Sequence, residues 1–182
     1  MSTTSFDHLL LEAAYQQARL GLQEGGIPIG SALGSPDLGI IALGRNRRVQ
    51  HDDTTAHAET DCINNAGRRR DWHTLSLATT LSPCIMCAGT ALLFKIPRII
   101  IGESHNFQGE EQLLASRNVK IIHANDQRCI DLMTDWISEN PELWNEDIGI
   151  PPQHTDHQPP ANSTQAGDQT GDQAGDQAGD PH

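Results

Sequence analysis

Between Asp7 and Glu24 the apolar residues Leu10, Leu11, Ala14, Ala18 and Leu22 recur at intervals that gather them on one face of a helix, and Gly25-Gly26 ends the pattern. IPIGSAL, starting at Ile27, and GIIALG, starting at Gly39, read as strands joined across SPDLG, whose Pro, Asp and Gly favour a tight reversal. An antiparallel pair is predicted. Arg45 to Thr55 is polar and reads as a loop, after which the period alternates. A helix is predicted near His57 to Asn65, a strand at LSLATT, a helix from Cys84 to Phe94 and a strand at RIIIGE. A short helix near Glu110 to Ser116, a strand at VKIIHA and a helix from Asp126 to Glu139 complete the series. Strands as apolar as RIIIG and VKIIHA need cover on both faces. The expected architecture is therefore α/β: a three-layer α/β/α sandwich around a mixed sheet of about five strands.

From Pro151 the pattern stops. The residues from there to His182 contain no Lys, Arg or aromatic residue, their only apolar residues are alanines, and GDQTGDQAGDQAGD repeats every four positions from Gly167 to Asp180. Such a segment has too little apolar surface to offset the entropy of ordering. The expected division is a catalytic domain over residues 1–150 and a disordered acidic tail over 151–182. Of the formal charge of -12, five acids lie in the tail, which leaves -7 on the body. A nucleic-acid partner is not expected on that balance, whereas a small neutral substrate suits it. No apolar run is long enough for a membrane span, and MSTTSFDH lacks the basic start and apolar stretch of a secretion signal, so a cytoplasmic protein is expected.

In that setting the four cysteines read as thiols or metal ligands rather than a disulfide framework. Their spacing decides between the two. Cys84 and Cys87, in Pro83-Cys84-Ile85-Met86-Cys87, share one face of a predicted helix start, with Ser82 as its N-cap and Pro83 at its first position. A helix start also favours a thiolate. His57, from the preceding helix, supplies an imidazole. One His and two Cys form a donor set suited to Zn2+, one ion per chain, with the fourth tetrahedral position left open as in a catalytic site. Glu59, two residues beyond His57, is placed to take a proton from a water at that position and pass it on. HxE followed by PCxxC is a recognised signature of zinc-dependent base deaminases. Cys62 and Cys129 read as packed thiols, and Arg68 to Arg70 as a solvated basic loop.

The body from Asp7 to Gly149 resembles the yeast-type cytosine deaminase family, within the cytidine deaminase-like superfamily. The resemblance is carried by the zinc motif together with EGGIPIG (Glu24 to Gly30), Asn46 in GRNRRVQ, TTLSPCIMC (Thr79 to Cys87), IPR (Ile96 to Arg98), HNF (His105 to Phe107) and WNEDIG (Trp144 to Gly149). It implies that Asn46 and the backbone N–H of Ala58 meet a ring carbonyl, and that Glu59 pairs with the adjacent ring nitrogen. Asp147 and the Ser82 carbonyl would face the departing amine, with Ile29, Phe107 and Trp144 enclosing the ring. It further implies a homodimer, with the Cys84 to Phe94 helix in the contact. The chain departs from the family pattern at Ala58, where glycine is usual, and at Val49, where an aromatic is usual. The expected reaction is hydrolytic deamination of a small heterocyclic free base. Cytosine is the first choice, and creatinine, a related cyclic amidine or a guanine-like base is the alternative. A non-catalytic zinc-stabilised binding protein stands behind both, and Glu59 argues against it.

Overall fold

Thr4 opens the first helix with a reciprocal cap: its hydroxyl accepts from Asp7 N at 3.2 Å and its own N–H donates to the Asp7 carboxylate at 2.7 Å. The computed structural model describes residues 4–151. Helix α1 runs Ser5–Gln23, and strands β1 (Gly30–Ser35) and β2 (Gly39–Arg45) form the expected antiparallel pair. A single turn, α2 (Arg48–His51), interrupts the stretch expected as loop, followed by α3 (Ala58–Ala66), β3 (Ser76–Leu81) and α4 (Ile85–Leu93). Then come β4 (Arg98–Glu103), α5 (Glu111–Ser116), β5 (Lys120–His123), α6 (Gln127–Glu139) and α7 (Pro141–Asp147). The sheet order is β2-β1-β3-β4-β5, with β1 antiparallel to both neighbours and β3, β4 and β5 parallel. It is mixed, as expected.

Alternation along the strands divides the core. Leu33, Leu77, Ile99 and Ile101 pack with Cys62 of α3 and Ala88 and Ala91 of α4 on one face. Ala32, Ala78, Ile100 and Ile122 pack with Leu10, Leu11 and Ala14 of α1 on the other. Gly102, on the Ile100 side, lies under Cys129 of α6. Both faces are covered, so polar residues in the central strands are buried with partners: Ser31 Oγ donates to Ala78 O at 2.8 Å, Thr79 Oγ1 to Leu81 O at 3.0 Å, and Thr80 Oγ1 accepts from Gly30 N at 3.0 Å. Buried Asp7 ties α1 to β4 through Arg98 Nη2 at 2.6 Å and Nε at 3.1 Å. Burial alone would raise the Asp7 pKa; the Arg98 guanidinium and the Thr4 cap outweigh it and hold the carboxyl below 3.8.

Three local readings differ from the structure. The first strand begins at Gly30 instead of Ile27, because Ile27 and Ile29 are apolar for another reason: they pack with Met133, Trp136 and Trp144 in a third cluster. The PCxxC helix starts later than expected, with Cys84 itself as the N-cap residue at φ -68 and ψ 174. Ser82 and Pro83 are held outside it by the next loop, since Ser82 Oγ donates to Glu111 at 2.8 Å and accepts from Gly109 N at 3.2 Å, while Pro83 O accepts from Glu110 N at 2.9 Å. Helix α7 was not expected as a separate element; Pro141 takes its first position, where a missing N–H costs nothing. The acidic tail from Pro152 lies outside the described residues.

Candidate active site

Parallel β3 and β4 end at one edge of the sheet with Leu81 and Glu103, so the loops that follow them open side by side. Clefts of open α/β sheets form at such edges. Ser82, Pro83 and Cys84 leave β3, and His105, Asn106 and Phe107 leave β4. Helix α3 reaches the same place because its backbone presses directly on β2: a Cβ on Gly44 would collide with Ala58 O and Cys62 N. This close approach sets His57 at the N-cap of α3 and Glu59 in its first turn.

The structure brings His57, Cys84 and Cys87 together, with their donor atoms all within 4.8 Å of one another. No other such group occurs among the described residues. His57 Nδ1 stands 3.5 Å from Cys84 Sγ. Tetrahedral zinc with bonds of about 2.0 Å to nitrogen and about 2.3 Å to sulfur needs donors about 3.5 to 4 Å apart, a spacing the His57–Cys84 pair already has. The Cys84 thiol falls to about 4, first through its hydrogen bond with Cys87, then through His57 and the Cys87 N–H at the helix start. Cys62 and Cys129 are the opposite case: burial pushes each up to about 12. Cys62 Sγ lies against Ala42 O at 3.4 Å. Both are packed thiols, as the sequence implied.

Glu59 is 4% exposed, and its Oε1 lies 3.2 Å from the Thr79 hydroxyl. Burial, then the charge on Cys84, raises its carboxyl above the ordinary 4.5. A carboxyl that holds its proton more readily is suited to carrying one between two sites.

A cavity of about 370 Å³ opens over this group, lined by Ile29, His57, Glu59, Ser82, Cys84, Phe107, Trp144 and Asp147 among the predicted residues. Phe107 and Trp144 meet edge to face with centroids 6.0 Å apart. Asn46 and Ala58, both fully buried, stand behind the wall. As the first residue of α3, Ala58 has an N–H with no partner inside its helix. Val49 is exposed on α2 and is not part of the wall.

Sequence reasoning passed over Arg48. Its Nη1 donates to Asp147 Oδ1 at 2.9 Å and its Nη2 to Glu146 at 3.1 Å, with Arg48 8% and Asp147 4% exposed at the side chain. Asn46 Nδ2 donates to the same Oδ1 at 3.4 Å, Asn46 Oδ1 accepts from Arg48 N at 3.1 Å, and His57 Nε2 lies 3.7 Å from Asp147 Oδ1. Asp147 is thereby fixed by one oxygen. The sequence carries no local signal for this pair, whose members are 99 residues apart. Thr54, Leu81, Ile85, Met86, Glu110 and Ile148 also line the cavity without having been singled out. A larger open depression of about 620 Å³, bordered by Arg47, His51 and Asp61, contains none of the predicted site residues, and its Arg47 is paired to Asp61 at 3.4 Å. The basic run is partly neutralised too, Arg69 binding Asp71 at 2.6 and 3.0 Å.

Comparison with known proteins places this geometry among deaminases. Residues 4–103 match the family model described as the cytidine and deoxycytidylate deaminase zinc-binding region. The chain is 44% identical over 141 residues to the cytosine deaminase of Candida albicans, across 76% of this chain and 94% of that one. It is 36% identical over 107 residues to a tRNA-specific adenosine deaminase of Streptococcus pyogenes, across 57% of this chain and 67% of that one. A solved structure of the guanine deaminase from Nitrosomonas europaea superposes with a TM-score of 0.57 at 21% identity, over 76% of this chain and 87% of that one, and shares the fold.

Proposed function

Because the chain belongs to the cytidine and deoxycytidylate deaminase family, whose zinc-dependent hydrolytic chemistry it carries, we propose that it converts free cytosine and water to uracil and ammonia. One observation carries this reading: an acid, a His/Cys/Cys donor set and a second, fixed acid line one cavity, with Phe107 and Trp144 in its wall. Likeness to the Candida albicans cytosine deaminase supports the choice of base.

His57 Nδ1, Cys84 Sγ and Cys87 Sγ hold the zinc in this reading. When bound, the ion supplies Lewis acidity that makes a water nucleophilic near neutral pH. Glu59 takes a proton at its carboxylate as water attacks the amino-bearing carbon and hands it to the neighbouring ring nitrogen; it then takes the second proton from the added hydroxyl and delivers it to the amine as the C=O bond forms and the C–N bond breaks. Each transfer restores the carboxylate, so the proton count closes on ammonia and uracil. Asp147, anchored at Oδ1 by Arg48, turns its Oδ2 to the amine, and the Ser82 carbonyl accepts beside it. Asn46 spends one amide hydrogen on Asp147 and keeps the other for the ring carbonyl, which also meets the Ala58 N–H. Phe107, Trp144 and Ile29 enclose the ring and exclude water.

The cyclic-guanidine alternative drew on the departures at Ala58 and Val49; Val49 is exposed on α2 away from the cavity, and Ala58 serves this reading through its N–H, which alanine and glycine share. The test is kcat/KM for cytosine, creatinine and cytidine on one zinc-loaded preparation. Cytosine is expected to exceed both, cytidine because no residue lining the cavity is assigned to hold a ribose. A creatinine value above that of cytosine would transfer the function to a cyclic guanidine.

Beyond the chemistry, the reading includes a homodimer, a dispensable tail and a cytoplasmic setting. No helix among the described residues is long and apolar enough to cross a membrane. Reduced, metal-binding Cys84 and Cys87 suit a reducing compartment. Ile85 and Leu93 stand 60% and 74% exposed on α4, an apolar surface suited to a second copy of the chain. The body carries -7, which disfavours an RNA substrate. Deleting residues 152–182 is expected to leave turnover and thermal midpoint unchanged and the sedimenting species at twice the chain mass. Loss of turnover would show that the domain boundary is misplaced, and a species of single-chain mass would remove the dimer.

A further inference from the structure

Glu103 is a buried acid to which the proposed reaction assigns no task. It ends β4, is 1% exposed, and forms no ion pair among the described residues. Its carboxylate is instead filled by N–H donors of the loop that follows. Oε2 accepts from His105 N at 2.6 Å and Asn106 N at 3.0 Å, and Oε1 accepts from Asn106 Nδ2 at 3.1 Å. Burying a carboxylate is costly unless donors replace its water, so these contacts over-determine the loop.

The same residue acts across the cleft. Its carbonyl accepts from Ser82 N at 2.9 Å, joining the loop that carries Cys84 to the loop that carries Phe107. Asn106 is gripped from the opposite side by α6, its Nδ2 donating to Ile130 O at 3.1 Å and its Oδ1 accepting from Thr134 Oγ1 at 3.0 Å. Phe107 is the next residue, and its ring is the one set edge to face against Trp144.

We infer that Glu103 is a positioning residue that sets the Phe107 wall, and so the fit of the flat substrate ring, through the N–H groups of His105 and Asn106. The inference rests on the reading of Phe107 as a cavity wall. Glu103→Gln preserves the side-chain shape but turns one acceptor into an NH2 group that faces other donors. The wall then loosens while the zinc donors and Glu59 stay in place.

The test is a double-mutant cycle on the zinc-loaded full chain, reading metal content, KM and kcat for cytosine in Glu103→Gln, Phe107→Leu and the pair. Phe107→Leu is expected to raise KM about tenfold, and Glu103→Gln about fivefold, with unchanged zinc and a smaller change in kcat. The double variant should have the KM of Phe107→Leu alone, because Glu103 acts only through that ring. A KM equal to the product of the two separate effects, or an unchanged KM in Glu103→Gln, overturns the inference while leaving the deaminase reading intact. An unchanged KM in Phe107→Leu removes the wall itself, and this inference with it. Should Glu103→Gln fail to fold, Asn106→Ala cuts the same link and must show the same dependence on Phe107.

Discussion

Glu59→Gln is expected to retain its zinc and its fold while turnover falls by about two to four orders of magnitude, the range typical for loss of a positioned proton carrier. The amide matches the carboxylate in shape, and its oxygen can still meet the Thr79 hydroxyl, now 3.2 Å from Glu59 Oε1. What it cannot do is take up a proton and release it again. Glu59 is buried beside the donor set, and the other cavity acid close to that set, Asp147, is already held by Arg48 at 2.9 Å. Zinc analysis and single-turnover ammonia release on the same sample separate the two properties. Near wild-type turnover at full zinc occupancy would end the assignment of Glu59 as the proton carrier.

Cys84→Ala is expected to lose metal and activity together. Removing one of three protein donors leaves His57 and Cys87, too few for tight binding of a tetrahedral ion. Metal affinity is folding free energy when the unfolded chain has no preformed site, so the thermal midpoint should fall as well. Cys129→Ala is the control: its thiol is buried against β4, away from the donor set, and the variant should keep its zinc even where the cavity under α6 lowers stability. If Cys84→Ala holds zinc as firmly as the parent chain, the ion is bound elsewhere.

These two predictions concern residues that were legible before any coordinates. HxE and PCxxC are local patterns: His57 and Glu59 straddle a helix start, as do Cys84 and Cys87, and the three-residue spacing of the cysteines specifies one face regardless of the rest of the chain. The exact start of α4 was not legible, because Ser82 and Pro83 answer to Gly109, Glu110 and Glu111 instead of to their own helix. Ile27 and Ile29 misled for a related reason. Their apolarity serves a cluster with Trp136 and Trp144, and nothing nearby in the chain distinguishes that from a strand.

Resemblance marked Asn46, Phe107, Trp144 and Asp147, but it did not say what holds them. Arg48 and Glu103 do much of that holding, and each looked unremarkable in sequence: one charge in a polar loop, one acid at the end of an apolar strand. Alternating apolar residues determined the strands, helical spacing determined the helices, and two short motifs determined the metal donors, since each depends on periodicity or on neighbours a few residues away. Tertiary structure alone decided that α7 returns to the zinc motif and that one edge of the sheet collects both loops. Those outcomes depend on strand order and on a guanidinium meeting a carboxylate 99 residues away, and no local interaction encodes either.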